Sequence, residues 1–243
     1  TLLKRDFAPI YHDVCIQNLP VTFASERGGV IVDDGATHQG LYDTGYLRLL
    51  PNMVVSAAAN EKELSQLLWT ALSHNGPFAI RYHRSNGEGV EWSTEEEPLP
   101  IGKGVVLEEG SDVAILAYGY MVHRALEAAD LLRNQGIRPT VVNMRFAKPL
   151  DTELIRILAA RHGYLVTYED HSIMGGFSSA VSEALHDMGL EHLPLLRLAV
   201  PDEVIEQGAR NEIFEEHGLM PHQAAKRILE FVHSAKPAIM VVK

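Results

Sequence analysis

Apolar residues at Leu3, Phe7, Ile10 and Val14 recur at helical spacing and predict a helix over residues 1–17, which breaks at "NLP" before a strand candidate, "VTFA". A second strand candidate is "MVVSAA" at 53–58. The segment "NEKELSQLLWTALSHNG" then reads as a helix: Asn60 can cap it, Glu63 sits three residues on, Leu64, Leu67, Leu68, Ala71 and Leu72 form one stripe, and Gly76 can end it. "PFAIRY" follows as a third strand. Strands alternating with helices of this length imply parallel pairing through helical crossovers, so the class is α/β with mainly parallel sheets flanked by helices.

Residues 85–102, "SNGEGVEWSTEEEPLPIG", are rich in Gly, Pro, Ser and Glu and lack periodicity, as a linker would, and a domain boundary is expected there. Alternation restarts with "DVAILAYG" as a strand, a helix with the stripe Val122, Ala125, Leu126, Ala129 and Leu132, and "RPTVVNMR" as a strand. "PLDTELIRILAARHG" reads as a helix capped by Asp151 and stopped at Gly163. "YLVTYED", "GGFSSAVSEALHDMG" and "LPLLRLAV" repeat the strand, helix, strand cycle, and two helical segments close the chain.

Length and composition narrow the function. At 243 residues and 46% hydrophobic content the chain can build two modest cores. A formal net charge of −11 opposes a phosphate backbone, so no nucleic-acid partner is expected. The one cysteine, Cys15, falls within a helical pattern, reads as a buried thiol and suits a reducing compartment. The longest nearly apolar run, "VAILAYGYMV", is shorter than the ~20 residues a membrane span takes, so no membrane partner is expected. The opening "TLLKRDF" has no initiator methionine and no leader pattern, which predicts a start within a longer protein.

The polar stretch "DDGATHQG" at 33–40 interrupts the apolar pattern, and its loop carries Arg27, Asp34, Thr37 and His38 beyond a predicted strand end, where ligand sites of parallel sheets form. Histidine changes charge near neutrality and can donate or accept at a reacting oxygen; equally, Asp34 and Thr37 read as turn formers and His38 as a solvated residue. Arg84 ends the third strand, where a guanidinium can clamp phosphate or carboxylate or serve only structure. "MGGFSSA" leads from strand to helix without a G-x-G-x-x-G pattern, and close packing is the favoured account of Gly175 and Gly176. The twelve histidines include no H-E-x-x-H or comparable spacing, so no metal site made by protein alone is expected.

The ordered series "HDVCIQNLPVTFASERGG", "DDGATHQG", "YLRLLPNMVV", "GPFAIRYHR", "LPIGKG", "VNMRFAKPLD" and "IMGGFSSAV" resembles the 1-deoxy-D-xylulose-5-phosphate synthase family from residue 1 to about 233. The resemblance implies two transketolase-like domains. Residues 1–98 would be the later part of the pyrimidine-binding domain with the linker, the first domain thus incomplete, and residues 99–243 the C-terminal domain. It implies a transferase that condenses pyruvate with D-glyceraldehyde 3-phosphate, using thiamine diphosphate and Mg2+ held mainly by upstream sequence. His38 and Asp34 would hydrogen-bond the pyruvate-derived group and the incoming aldehyde, Arg27 and Arg84 would hold the aldehyde's phosphate, and Arg5 would line the substrate pocket. A missing N-terminal half or separate chain, a homodimer, and the cytoplasm or a plastid complete the implied setting.

The chain also departs from that family. It has "SERGG" and "VDDGATH" for "IDRAG" and "GADGATH", "KRDFAP" for "QRAYDQ", and His83 where the family has proline before the arginine. Alternative readings are a transketolase-type or pyruvate dehydrogenase β-type subunit, or a noncatalytic dimerisation module.

Overall fold

A computed structural model describes residues 2–32 and 35–234. In it β3 (Phe78–Arg81) runs parallel to β1 (Thr22–Ser25) on one side and to β2 (Val54–Ala57) on the other. The shared register aligns Ser25, Ala57 and Arg81 at the carboxyl end of this sheet. The second sheet has the order β4 (Val105–Glu108), β6 (Pro139–Asn143), β5 (Val113–Ala117), β8 (Leu165–Ser172) and β9 (Leu195–Val200), all parallel except β4.

Two strands lie outside the sequence reading. β4 abuts the Gly- and Pro-rich linker and lies between Gly104 and Gly110, which reads as loop, and β7 (Phe146–Lys148) is only three residues long and runs into Pro149. β7 crosses from the segment beyond the linker to pair antiparallel with β2, so the first sheet takes an edge strand from beyond the linker.

Helices fill the faces. The chain begins with α1 (Leu2–Arg5), α2 (Phe7–Pro9) and a π-helical turn at Ile10–Cys15, and Cys15 is fully buried. α3 (Asp43–Leu49) follows the first loop. α4 (Glu61–Ser73) places Leu67 and Ala71 on Val54, Phe78, Ile80 and Phe146. Its stripe is narrower than the sequence suggests, because Leu68 and Leu72 are 45% and 64% exposed while Glu63 and Thr70 take the inward positions. Asn60 caps it by accepting from Glu63 N at 2.9 Å. Glu63 does not reach back to its cap; it accepts from Ala59 N, Asn143 and Arg145, tying α4 to the β6–β7 turn.

In the second sheet α5 (Met121–Arg133), α8 (Arg210–Glu216) and α9 (Pro221–Ser234) cover one face, while α6 (Thr152–Arg161) and α7 (Phe177–Asp187) contribute to the core on the other. That second core also takes in Val55, Ala57 and Ala79 of the first sheet beside Leu116, Tyr118 and Phe177, so the two sheets share buried surface. Full burial of Val55, Leu116 or Phe177 contributes roughly 1.5–3 kcal/mol each, and each alanine about a third to a half of that.

Residues 85–102 form no helix or strand, yet they are fastened to α4. Ser65 and Trp69 donate to Ser93 O and Thr94 O, Leu99 N donates to Thr70 Oγ1, and Glu61 accepts from the backbone of residues 88, 89 and 90. Among the described residues no helix is long and apolar enough to cross a membrane.

Candidate active site

Beyond the carboxyl ends of β1 and β3 the two chains stay paired: Tyr82 N donates to Ser25 O at 3.1 Å and Gly28 N to Tyr82 O at 2.9 Å. Between these bonds Arg27 adopts a left-handed backbone, φ 62°, which costs a non-glycine residue ~1–2 kcal/mol and is the kind of strain that gathers at functional sites. The chain then closes on itself, since Gly29 and Gly40 exchange two backbone bonds of 2.8 and 2.9 Å. A Cβ on Gly40 would come within 2.1 Å of Arg27 O, so only glycine permits this approach.

The loop closed by this bridge is "GVIVDDGATHQG". Its base is anchored by Val30 and by Leu41 just beyond it, both in the core of the second sheet. Gln39, 1% exposed, accepts from Ile31 N at 2.8 Å and donates to Glu206 O at 3.4 Å. The tip is a 3-10 turn, Ala36–His38, with His38 exposed and its Nδ1 3.0 Å from Thr37 Oγ1. Asp34 lies outside the described residues.

His38 and Arg27 line one cleft of about 630 Å³ together with Leu3, Lys4, Phe23, Asp43 and Tyr46. Lys4, which the sequence reading passed over, donates to Gln39 O at 2.7 Å. Burial lowers its ammonium below the ordinary lysine range, with Asp43 acting in the opposite sense. Arg5, one residue on, is exposed and does not line the cleft. Two adjacent cations differ only in helix phase, which the spacing of a helix this short does not fix.

Arg84 is exposed and lines a neighbouring cavity of about 330 Å³ with Asn60, Tyr82 and His83. The cleft and this cavity meet at Glu26, which lines both.

Beneath them sits a buried ion network absent from the sequence reading. Arg81, at the end of β3, reaches both oxygens of Asp43 at 3.0 and 2.9 Å, Asp170 Oδ1 at 2.6 Å, and the carbonyls of Gly40 and Asp170. Burial opposes the guanidinium charge, but Asp170 and Asp43 outweigh it and hold Arg81 above its ordinary range. Pattern alone gave no signal, because alternation merely placed Arg81 on a strand face.

The turn at Gly175 and Gly176 is closed to anions by its own protein. Glu169 accepts from Phe177 N and Ser178 N, both at 2.7 Å, and a Cβ on Gly176 would lie 2.5 Å from that carboxylate.

Comparison with known proteins fits this arrangement. The transketolase pyrimidine-binding domain family matches residues 2–89 and the transketolase C-terminal domain family matches residues 102–223. A 1-deoxy-D-xylulose-5-phosphate synthase of Acaryochloris marina is 50% identical over 98% of this chain, and one of Rippkaea orientalis is 48% identical over 99%. The chain spans 38% of the length of each of these relatives. A solved structure described as "Split gene transketolase, inactive beta4 tetramer" superposes with a TM-score of 0.85 at 34% identity, covering 96% of this chain and 73% of that one. With one core shared by two sheets, and with both domain families matched in order, the chain belongs to the transketolase family, and the curated relatives it matches are 1-deoxy-D-xylulose-5-phosphate synthases.

Proposed function

We propose that this chain is part of a thiamine-diphosphate-dependent synthase that condenses pyruvate with D-glyceraldehyde 3-phosphate to 1-deoxy-D-xylulose 5-phosphate and CO2. The carboxyl carbon of pyruvate leaves as CO2, and its remaining two carbons join the aldehyde carbon. The observation that carries this reading is the meeting of His38 and Arg27 at one cleft, with Arg84 in the cavity that adjoins it at Glu26.

The residues present suit such a cofactor in part: Phe23 and Tyr46 give the cleft apolar walls beside an imidazole, a lining fitted to a heteroaromatic ring. When bound, thiamine diphosphate supplies the carbanion chemistry that breaks the carboxyl bond. Its diphosphate and Mg2+ would be held mainly by sequence beyond this chain. His38, with Nδ1 engaged by Thr37, keeps Nε2 to hold or move a proton at the oxygen of the incoming aldehyde. Asp34 would assist from the same loop. Arg27 and Arg84 would take the aldehyde's phosphate through charge-assisted bonds. Arg5, exposed outside this cleft, would line the substrate pocket only in the assembled enzyme. The domain boundary falls near residues 98 and 99, and the assembled enzyme would be a homodimer in the cytoplasm or a plastid.

Supplying the N-terminal part of a relative and following CO2 release from pyruvate tests this. Activity that depends on thiamine diphosphate and on D-glyceraldehyde 3-phosphate, and that His38→Ala lowers at least about a hundredfold, is expected. Activity unchanged by His38→Ala would overturn the assignment.

A second reading has one observation behind it. The 34%-identical relative is described as an inactive β4 tetramer, so this chain too would associate with itself and stay silent until joined by its other half.

A further inference from the structure

Arg210, the first residue of α8, is 8% exposed and belongs to the second sheet's side of the molecule, yet its guanidinium is spent on the first loops. Nε donates to Val30 O and Nη2 to Arg84 O, each at 3.1 Å. Its Cζ lies 4.9 Å from the centre of the Tyr120 ring. Val30 is three residues beyond Arg27, and Gly28 is bonded to Tyr82, two residues before Arg84. One side chain therefore fastens together the two loops that carry the arginines assigned to the phosphate.

We infer that Arg210 is a positioning residue for that anion subsite: by holding both loops it fixes the separation of Arg27 and Arg84, and so selects a phosphorylated aldehyde over an unphosphorylated one. This rests on the assignment of Arg27 and Arg84 to phosphate given above. Arg27 Nε has the Glu26 carboxylate 3.9 Å away, so the spacing of the two loops rather than bare repulsion sets the guanidinium groups for a shared anion, and loops left free would have to be gathered by that anion at a cost in affinity. Anchoring the loops through main-chain carbonyls avoids that cost without consuming either arginine's own donors. Nε and Nη2 donate from separate atoms of one rigid plane, whereas a lysine's ammonium, on a flexible stem, would hold the two carbonyls at a different and less fixed separation. In functional terms, the C-terminal domain would set substrate preference in a site whose anion-binding residues all belong to the other domain.

The test is titration of the 243-residue chain with inorganic phosphate and with D-glyceraldehyde 3-phosphate, followed by calorimetry, with unphosphorylated D-glyceraldehyde as comparison. Arg210→Lys should weaken both phosphorylated probes by about tenfold, leave D-glyceraldehyde unchanged, and keep a thermal midpoint near wild type. Tyr120→Leu, which removes the ring beside Arg210, should weaken the phosphorylated probes in the same direction and serves if Arg210→Lys does not fold. Arg124→Gln, which also lies against Tyr120 but holds neither loop, should match wild type. If Arg27→Gln and Arg84→Gln leave phosphate affinity intact, or wild type binds no phosphate, the phosphate assignment itself falls. If those two weaken binding while Arg210→Lys and Tyr120→Leu do not, the assignment stands and the role of Arg210 is overturned. Equal losses for phosphorylated and unphosphorylated aldehyde, or an equal loss in Arg124→Gln, would also overturn it.

Discussion

Arg81 Nη1 donates to Asp170 Oδ1 at 2.6 Å, and this contact ties the end of β3 to β8 across the junction of the two sheets. Because the same guanidinium holds Asp43 and Gly40 O, the floor of the cleft and the base of its loop share one anchor.

Arg81→Met would leave Asp43 and Asp170 buried without their cation, and breaking a buried pair from one side costs ~3–5 kcal/mol. Urea denaturation should show a loss of that order. A loss under about 1 kcal/mol would mean the network is wetter than its burial indicates.

His83 gives the molecule an acid-sensitive point. Its ring centre is 4.0 Å from that of Tyr120, and burial, then Arg210, Arg81 and Arg124, lower its pKa to about 4 from 6.5, with Asp170 opposing. The unfolded chain binds this proton before the folded one, so the contribution is complete above about pH 6.5 and lost as pH falls through about 4, amounting to roughly 3 kcal/mol at most. Thermal midpoints at pH 7.5 and 4.5 should fall less in His83→Phe than in wild type; equal falls would remove His83 from the account.

Glu61 alone receives the backbone of residues 88, 89 and 90, which ends the loop begun by Arg84. Its pKa is lowered by hydrogen bonds to backbone N–H groups, its own first and then those three, so the carboxylate form is the one that holds the loop. Amide exchange at those three positions should speed up at least tenfold in Glu61→Ala at neutral pH. Unchanged protection would show that the Ser65, Trp69 and Thr70 contacts suffice.

Gly29 sits at φ 79° with Asp170 Oδ2 1.8 Å from where a Cβ would stand. Gly29→Ala should destabilise by several kcal/mol, since backbone strain and displacement of a buried carboxylate add. Far-UV circular dichroism melts would register this, and a melt matching wild type would mean the loop re-forms around the methyl group.

The sequence by itself determined the elements that neighbours in the chain decide. Asn60 and Asp151 cap their helices by accepting from Glu63 N and Leu154 N, the stripe of α5 buries Val122, Ala125, Ala129 and Leu132, and the three strands of the first half lie where short apolar runs bounded by turn residues put them. Helical periods, short apolar runs and capping residues are properties of adjacent residues, so they survive without the fold. The polar interruption around His38 was also visible, because eight residues there break the apolar pattern, although pattern alone does not separate a turn from a site.

Only the tertiary structure decided which of Lys4 and Arg5 lines the cleft, why Leu68 and Leu72 stay exposed, and that β7 completes a sheet from beyond the linker. It alone paired Arg81 with Asp170 and Arg210 with Val30, partners 89 and 180 positions apart. Such contacts leave no local signature: each residue's own neighbours are compatible with many partners, and the choice is made when burial forces every charge and every donor to find one.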